Sequence, residues 1–268
     1  MTTTTAEPRA AADTSHMPDT GFMSALDTPA LKARFDTDNE FLFLDEFLPA
    51  ETSRAFAARI PKLMETVHRN FIPKHKKGGS VSRYTLDDLA PEIPALYRNP
   101  EFIAWLEKLT GESLQVCPES DPHAYALYFY TEPGDHIGWH FDTSYYAGKR
   151  YTLLLGVVDD STSQLEFELF KNDEARESVK DARNLRPGAM CFFNGDKVWH
   201  RITPLGENET RISLTFEYVT DPHMGRWQRF ISNMKDSIAY FGFKQVFTRA
   251  LGLSGAKRAS TKSNPSTR

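Results

Sequence analysis

From residue 124 onward the chain consists of short apolar segments separated by turn residues, and this rhythm constrains the fold more than any other feature. Residues 124–131, 150–158, 164–170, 189–194, 198–203 and 210–220 each read as a strand. Between them stand Glu132-Pro133-Gly134-Asp135, Arg186-Pro187-Gly188, Asn194-Gly195-Asp196 and Pro204-Leu205-Gly206-Glu207, which favour reversal of the chain. Short strands at this regular spacing indicate a double-sheet roll or barrel.

Helices are expected on both sides of this β core. Over residues 28–117 the pattern is mostly helical, apart from the strand-like run Phe41-Leu42-Phe43-Leu44. A helix opens at Leu48-Pro49-Ala50-Glu51 and carries an apolar stripe of Phe56, Ile60, Leu63, Met64 and Val67. A second starts at Pro100, carries Phe102, Ile103, Trp105 and Leu106, and stops at Gly111. Between them, Lys74-His75-Lys76-Lys77-Gly78-Gly79-Ser80 reads as a basic loop, either a solvated surface or a mobile lid near an anionic ligand. After Pro222, Trp227, Phe230, Ile231, Met234, Ile238 and Phe241 recur at helical spacing. That stripe suits a helix docked on the sheet, a lid over substrate or a dimer contact. Residues 1–25 and 254–268 lack large apolar periodicity and are expected to be disordered tails. The expected organisation is one domain over 26–253, with helical support at 28–117, a β core at 118–220 and a C-terminal helix at 222–250. The fold class is mainly β with flanking helices (α+β).

Apolar residues at 40% and charged residues at 25% fit a soluble globular chain. The balance of 32 basic against 36 acidic residues, −4 overall, gives no general electrostatic reason to bind nucleic acid or an anionic membrane. The longest apolar run, near 151–158, is far short of the roughly 20 residues a membrane span needs. The first 25 residues contain neither an apolar signal core nor an Arg-rich amphipathic pattern. Two cysteines, Cys117 and Cys191, cannot form a disulfide framework or a Cys-rich zinc site. A protein of cytoplasmic, reducing surroundings is the expectation.

Three residues in the β section have the chemistry for a divalent metal. His140 and Asp142 are one residue apart, so in an extended strand both side chains emerge on one face. His200 comes from a later strand. Two imidazoles and one carboxylate on one side of a metal form the facial triad of non-haem iron sites. A His-x-Asp tripeptide alone is a weak signal, but Arg211 follows in Arg211-Ile212-Ser213-Leu214-Thr215-Phe216. There alternation puts Arg211, Ser213 and Thr215 on one face. That face either meets water or turns a guanidinium inward to pair with a carboxylate, assisted by the Ser213 hydroxyl.

Taken in order, Tyr130-Thr131-Glu132-Pro133-Gly134, His140-Phe141-Asp142, Arg186-Pro187-Gly188, Phe192-Phe193-Asn194-Gly195, His200-Arg201-Ile202-Thr203-Pro204 and Arg211-x-Ser213 resemble the Fe(II)/2-oxoglutarate-dependent dioxygenases. The resemblance is to the prolyl-hydroxylase-like branch and covers about residues 41–219. It implies a double-stranded β-helix (jelly roll) core, with His140, Asp142 and His200 holding Fe(II). Arg211 and Ser213 would then bind the distal carboxylate of 2-oxoglutarate. Oxygen would be consumed, 2-oxoglutarate would become succinate and carbon dioxide, and an unactivated C–H bond would be hydroxylated. Related iron halogenases carry a small residue where this chain keeps Asp142, so hydroxylation is expected over halogenation, while desaturation or ring formation stays open.

Asp142-Thr143-Ser144-Tyr145-Tyr146 and Arg150-Tyr151-Thr152-Leu153 are similar to the group that contains free amino-acid (lysine-type) hydroxylases and halogenases. An amino-acid-like small molecule is therefore the expected substrate. His136, Asp135, Trp139, Tyr145 and Glu119 are candidates to contact it, each with a plain structural alternative. Hydroxylation of a protein side chain and non-catalytic binding by a jelly roll are the other readings. Oligomeric state is not legible. His123, His223, Trp199 and Cys191 read as loop or packing residues.

Overall fold

The computed structural model of the protein describes residues 18–223. Local chemistry sets the ends of its helices, as in α5 (Pro100–Thr110). The Asn99 side chain accepts hydrogen bonds from the Glu101 and Phe102 N–H groups at 2.8 and 3.1 Å, satisfying donors that have no partner within the helix. Pro100, with no N–H, suits the first turn, and Gly111 closes the other end at φ 72°. Phe102, Trp105, Leu106 and Leu109 form the buried face. Helix α2 (Ala50–Met64) buries Phe56, Ile60 and Leu63. Met64, expected on the same stripe, is 41% exposed, and Val67 lies beyond the helix. Helices α1 (Thr28–Thr37), α3 (Arg83–Leu89) and α4 (Glu92–Tyr97) complete this layer.

The strands are β1 (Phe41–Leu44), β2 (His68–Ile72), β3 (Lys76–Ser82), β4 (Gln115–Val116), β5 (Tyr125–Tyr130), β6 (His136–His140), β7 (Arg150–Asp160), β8 (Leu165–Leu169), β9 (Val179–Arg183), β10 (Met190–Asn194), β11 (Trp199–Ile202) and β12 (Thr210–Val219). They pair in the order β1-β10-β7-β12-β5-β3-β6-β11-β8-β9, with β2 on β3 and β4 on β12. The sheet curls into a jelly roll in which β5, β7 and β12 share a cavity with β6 and β11.

Alternation along the strands separates two cores. On β12, Ile212, Leu214, Phe216 and Tyr218 pack outward with helix residues such as Phe56, Tyr97, Phe102 and Trp105. At roughly 1.5–3 kcal/mol per fully buried large apolar side chain, this interface is a principal stabiliser. A second, inner core joins Phe41, Phe43, Cys191 and Phe193 to Leu165, Phe167, Val198 and Ile202. Gly156 on β7 permits a close crossing beside it. A Cβ there would lie 2.0 Å from the Arg186 carbonyl oxygen, at the point where the β7–β12 register shifts.

Three expectations are corrected. The helical support over 28–117 contains, besides the expected strand β1, three further strands, β2 to β4. The basic loop at Lys74–Ser80 is largely strand β3, inserted between β5 and β6. Gly79 serves close packing, since a Cβ there would meet Val67 Cγ1 at 2.4 Å. Lys76 is 1% exposed, its ammonium 4.6 Å from the centre of the Tyr128 ring. The tail expected over residues 1–25 ends earlier, because Gly21–Ala25 forms a short 3-10 helix. Met23 is buried there, and Phe22 meets Phe47 edge-on at 5.2 Å. Two apolar anchors in a polar stretch suffice for this. The helix expected at 222–250 and the tail at 254–268 lie outside the described residues, save Pro222 and His223. Among the described residues no helix is long and apolar enough to cross a membrane.

Candidate metal centre

Register brings the two imidazoles together: in the antiparallel pairing of β6 and β11, His140 is the direct partner of His200. Their rings stand 4.2 Å apart. In each, Nδ1 faces a backbone carbonyl two residues back, Gly138 at 2.8 Å and Val198 at 3.1 Å. That bond fixes the tautomer with the proton on Nδ1 and leaves Nε2 with a lone pair for a metal. Asp142 lies two residues past His140. Its Oδ1 is 3.4 Å from His140 Nε2 and its Oδ2 is 3.6 Å from His200 Nε2. One ligand atom from each residue falls within 4.8 Å of the others. Among the described residues this is the one cluster of its kind.

The close approach of two chain segments sets the carboxylate's position. A Cβ on Gly195 would meet the Asp142 carbonyl oxygen at 2.4 Å and its Cβ at 2.9 Å, so only glycine fits beneath Asp142. The electrostatics suit a cation. Burial pushes the His200 imidazole down to about 4, aided by repulsion from His140, so it is neutral at pH 7. Burial raises the Asp142 carboxyl, but the two imidazoles that face it, one through a hydrogen bond, and the Arg150 guanidinium outweigh this and hold it well below the usual carboxylate range. Two imidazole nitrogens and one carboxylate oxygen form a set suited to Fe(II).

The cavity beside this centre has a volume of about 490 Å³, within the range of small-molecule sites. Arg211, Ser213 and Thr215 line it from β12, so the polar face of that strand turns inward. Arg211 is 1% exposed. Its Nη1 donates to the Ser163 carbonyl at 3.0 Å, while Nε and Nη2, and the Thr215 hydroxyl, have no hydrogen-bond partner. Burial pulls the guanidinium down from its ordinary value, opposed by Tyr130 and Asp159. A buried cation with two unsatisfied nitrogens is costly unless an anion meets it, and a carboxylate matches its planar fork.

The substrate candidates divide. Tyr145 lines the cavity; His136, Asp135, Trp139 and Glu119 do not. Asp135 is fully buried and binds Arg69 through both oxygens at 2.7 Å, also accepting from the Thr131 and Glu132 N–H groups at 2.9 and 3.1 Å. It is thereby a turn-fixing residue. His136 Nδ1 turns back to the Gly134 carbonyl at 2.8 Å. Trp139 stacks on Trp199 with their ring centres 6.2 Å apart, and Arg201 lies over it. Residues not foreseen line the cavity instead: Asp121, Thr143, Tyr146, Arg150, Thr152 and Glu217. Glu217 was within reach of the sequence, since the alternation of Arg211, Ser213 and Thr215 continues to it. Arg150 and Asp121 carried no such signal.

A family model described as halogenase D matches residues 23–148, a stretch that includes His140 and Asp142 but stops before His200 and Arg211. No curated protein sequence matches the chain. Solved structures share its fold. A prolyl hydroxylase of Trichoplax adhaerens, in complex with a hypoxia-inducible factor peptide, is 14% identical with a TM-score of 0.60, over 80% of this chain and 97% of that one. The non-haem α-ketoglutarate-dependent epimerase SnoN of nogalamycin biosynthesis is 17% identical with a TM-score of 0.58, over 72% and 80%. It has also been solved with Fe3+, α-ketoglutarate and nogalamycin RO. A Pseudomonas putida prolyl-4-hydroxylase is 17% identical with a TM-score of 0.50, over 72% and 98%.

Proposed function

We infer that this chain is an Fe(II)/2-oxoglutarate-dependent oxygenase, with His140, Asp142 and His200 as metal ligands and Arg211 with Ser213 as the anchor for the co-substrate. One observation carries the reading. A fully buried guanidinium with two unpartnered nitrogens opens onto the same cavity as two imidazoles and an ionised carboxylate. The first requires an anion and the second a cation, and 2-oxoglutarate bound to iron satisfies both at once. When bound, iron and 2-oxoglutarate supply the activation of oxygen that oxidises a C–H bond, with succinate and carbon dioxide released.

The chain's own residues bind, orient and exclude water. Arg211 and Ser213 hold the distal carboxylate, and Thr215 offers a further hydroxyl on the same face of β12. Oriented in this way, the keto acid reaches the metal without a search. Tyr130, Leu154, Ile137 and Ile202 give the cavity apolar walls, which strengthens each charge interaction inside it.

Hydroxylation is the outcome favoured by Asp142. A halide needs a vacant coordination position, which the Asp142 carboxylate would fill. The match to a halogenase model favours the second reading, halogenation, and the mass of the product separates the two. The substrate we propose is a small amino acid or a derivative, because Asp121, Arg150 and Glu217 give the cavity groups of both signs and Tyr145 adds an aromatic surface. A protein side chain is the other candidate.

The test is spectroscopic and precedes any knowledge of substrate. Fe(II) and 2-oxoglutarate added without oxygen should give the visible charge-transfer band of a chelate. Arg211→Ala should weaken 2-oxoglutarate binding on the order of 100-fold, as expected when one partner of a buried charge pair is removed. No band in the wild-type chain would overturn the reading, and unchanged affinity in the variant would remove Arg211 from it. Succinate release across a panel of amino acids and peptides then identifies the substrate.

A further inference from the structure

Behind the metal-facing carboxylate lies a chain of polar groups that binding of iron and 2-oxoglutarate does not itself require. The Thr152 hydroxyl on β7 is 3.0 Å from Asp142 Oδ2 and 2.9 Å from Glu217 Oε2. The Arg150 Nε donates to the same Glu217 oxygen at 2.8 Å. Thr152 is 1% exposed and Glu217 3%. In the β7–β12 register, Thr152 and Glu217 are direct partners, so backbone pairing fixes their contact. The four side chains form a continuous line from a buried ion pair to one oxygen of Asp142.

We propose that Thr152 is a positioning residue for the metal centre, giving its one hydroxyl hydrogen to Asp142 Oδ2 so that Oδ1 is presented to the ion, with the β7–β12 strand pairing holding Thr152 in place. This rests on the reading of His140, Asp142 and His200 as metal ligands. A carboxylate free to rotate about its Cβ–Cγ bond can offer either oxygen or both. A hydroxyl that donates to Oδ2 makes Oδ1 the more basic oxygen and keeps the group from swinging. Gly195 limits the backbone of Asp142 from below, and Thr152 limits its side chain. A structural role alone, as a β-branched residue filling a strand position, would be met equally well by valine, which has nearly the same shape and lacks the hydroxyl.

That difference is the test. Metal-free wild type, Thr152→Val, Thr152→Ala and Thr152→Ser are titrated anaerobically with Co(II), read by its visible ligand-field absorption, and then with Fe(II) and 2-oxoglutarate. Removal of the hydroxyl should weaken metal binding by about 10- to 100-fold and change the ligand-field spectrum, the usual size of an outer-shell effect. Thr152→Ser should restore both. In an Asp142→Ala background, Thr152→Val should cost nothing further, because the group it positions is gone. Wild-type affinity and spectrum in Thr152→Val would overturn the proposal. So would a serine variant as weak as the valine one, or a full additional loss in the Asp142→Ala background. Should Thr152→Val not fold, Thr152→Ala carries the same comparison. A wild-type chain that binds neither Co(II) nor Fe(II) overturns the metal reading itself, and the proposal with it.

Discussion

At the scale of the residue, charge and burial assign roles that sequence proximity does not. Asp135 is five residues from His140, yet its carboxylate is spent on Arg69 and two backbone N–H groups. Burial raises its pKa, but Arg69 and the N–H donors outweigh this and hold it below the ordinary value. Because the folded pKa is depressed, the stability it contributes is present above the unfolded pKa of about 3.9 and is lost as pH falls through the folded value. Asp135→Asn should lower stability by about 2–4 kcal/mol at pH 7, less than a wholly buried pair because Arg69 is a third exposed. It should also flatten the acid side of the stability profile. Urea unfolding between pH 3 and 7 measures both. Metal affinity in that variant should stay near wild type, since Asp135 does not reach the cavity.

At the scale of the element, the site depends on register and on glycine. His140 and His200 meet because β6 and β11 pair with these residues opposite each other. Asp142 fits because Gly195 lacks a side chain. Gly195→Ala should therefore destabilise the fold by about 1–3 kcal/mol, the usual range for overpacking. It should weaken Co(II) binding as well, although Gly195 touches no metal; thermal melts and titration of one preparation test the pair of effects. Of the strands from 124 onward, β5, β7, β8, β10, β11 and β12 were legible because each is a short apolar or alternating run between turn residues, whereas β6 and β9 were not among the expected strands. The i, i+2 spacing of Arg211, Ser213 and Thr215 put them on one face of β12, and the structure turns that face inward. Strand β3 was not legible, since Lys76-Lys77-Gly78-Gly79 has the composition of a loop. Only a tertiary setting, with Tyr128 under Lys76 and Val67 against Gly79, makes it a strand. The Thr152–Glu217 contact was hidden for the same reason: strand pairing joins residues that sequence holds 65 apart.

At the scale of the whole molecule, the candidate ligands are divided between the two walls of the roll. His140 and His200 stand on β6 and β11, while Arg211 and Ser213 stand on β12. A metal chelate seated between them would tie the walls together. Ligand at about 100 times its dissociation constant adds some 2.7 kcal/mol to the native state. For a chain of this size that corresponds to a rise in Tm of about 5–10 °C. Calorimetry with Co(II) and 2-oxoglutarate together should show this shift, and Arg211→Ala should lose the part contributed by the keto acid. The buried guanidinium of Arg211 then has a meaning for the life of the protein. A charge enclosed with two idle donors makes the empty chain easier to open, and so easier for a protease to cut. A chain loaded with metal and 2-oxoglutarate should therefore outlast the empty one in the presence of a protease.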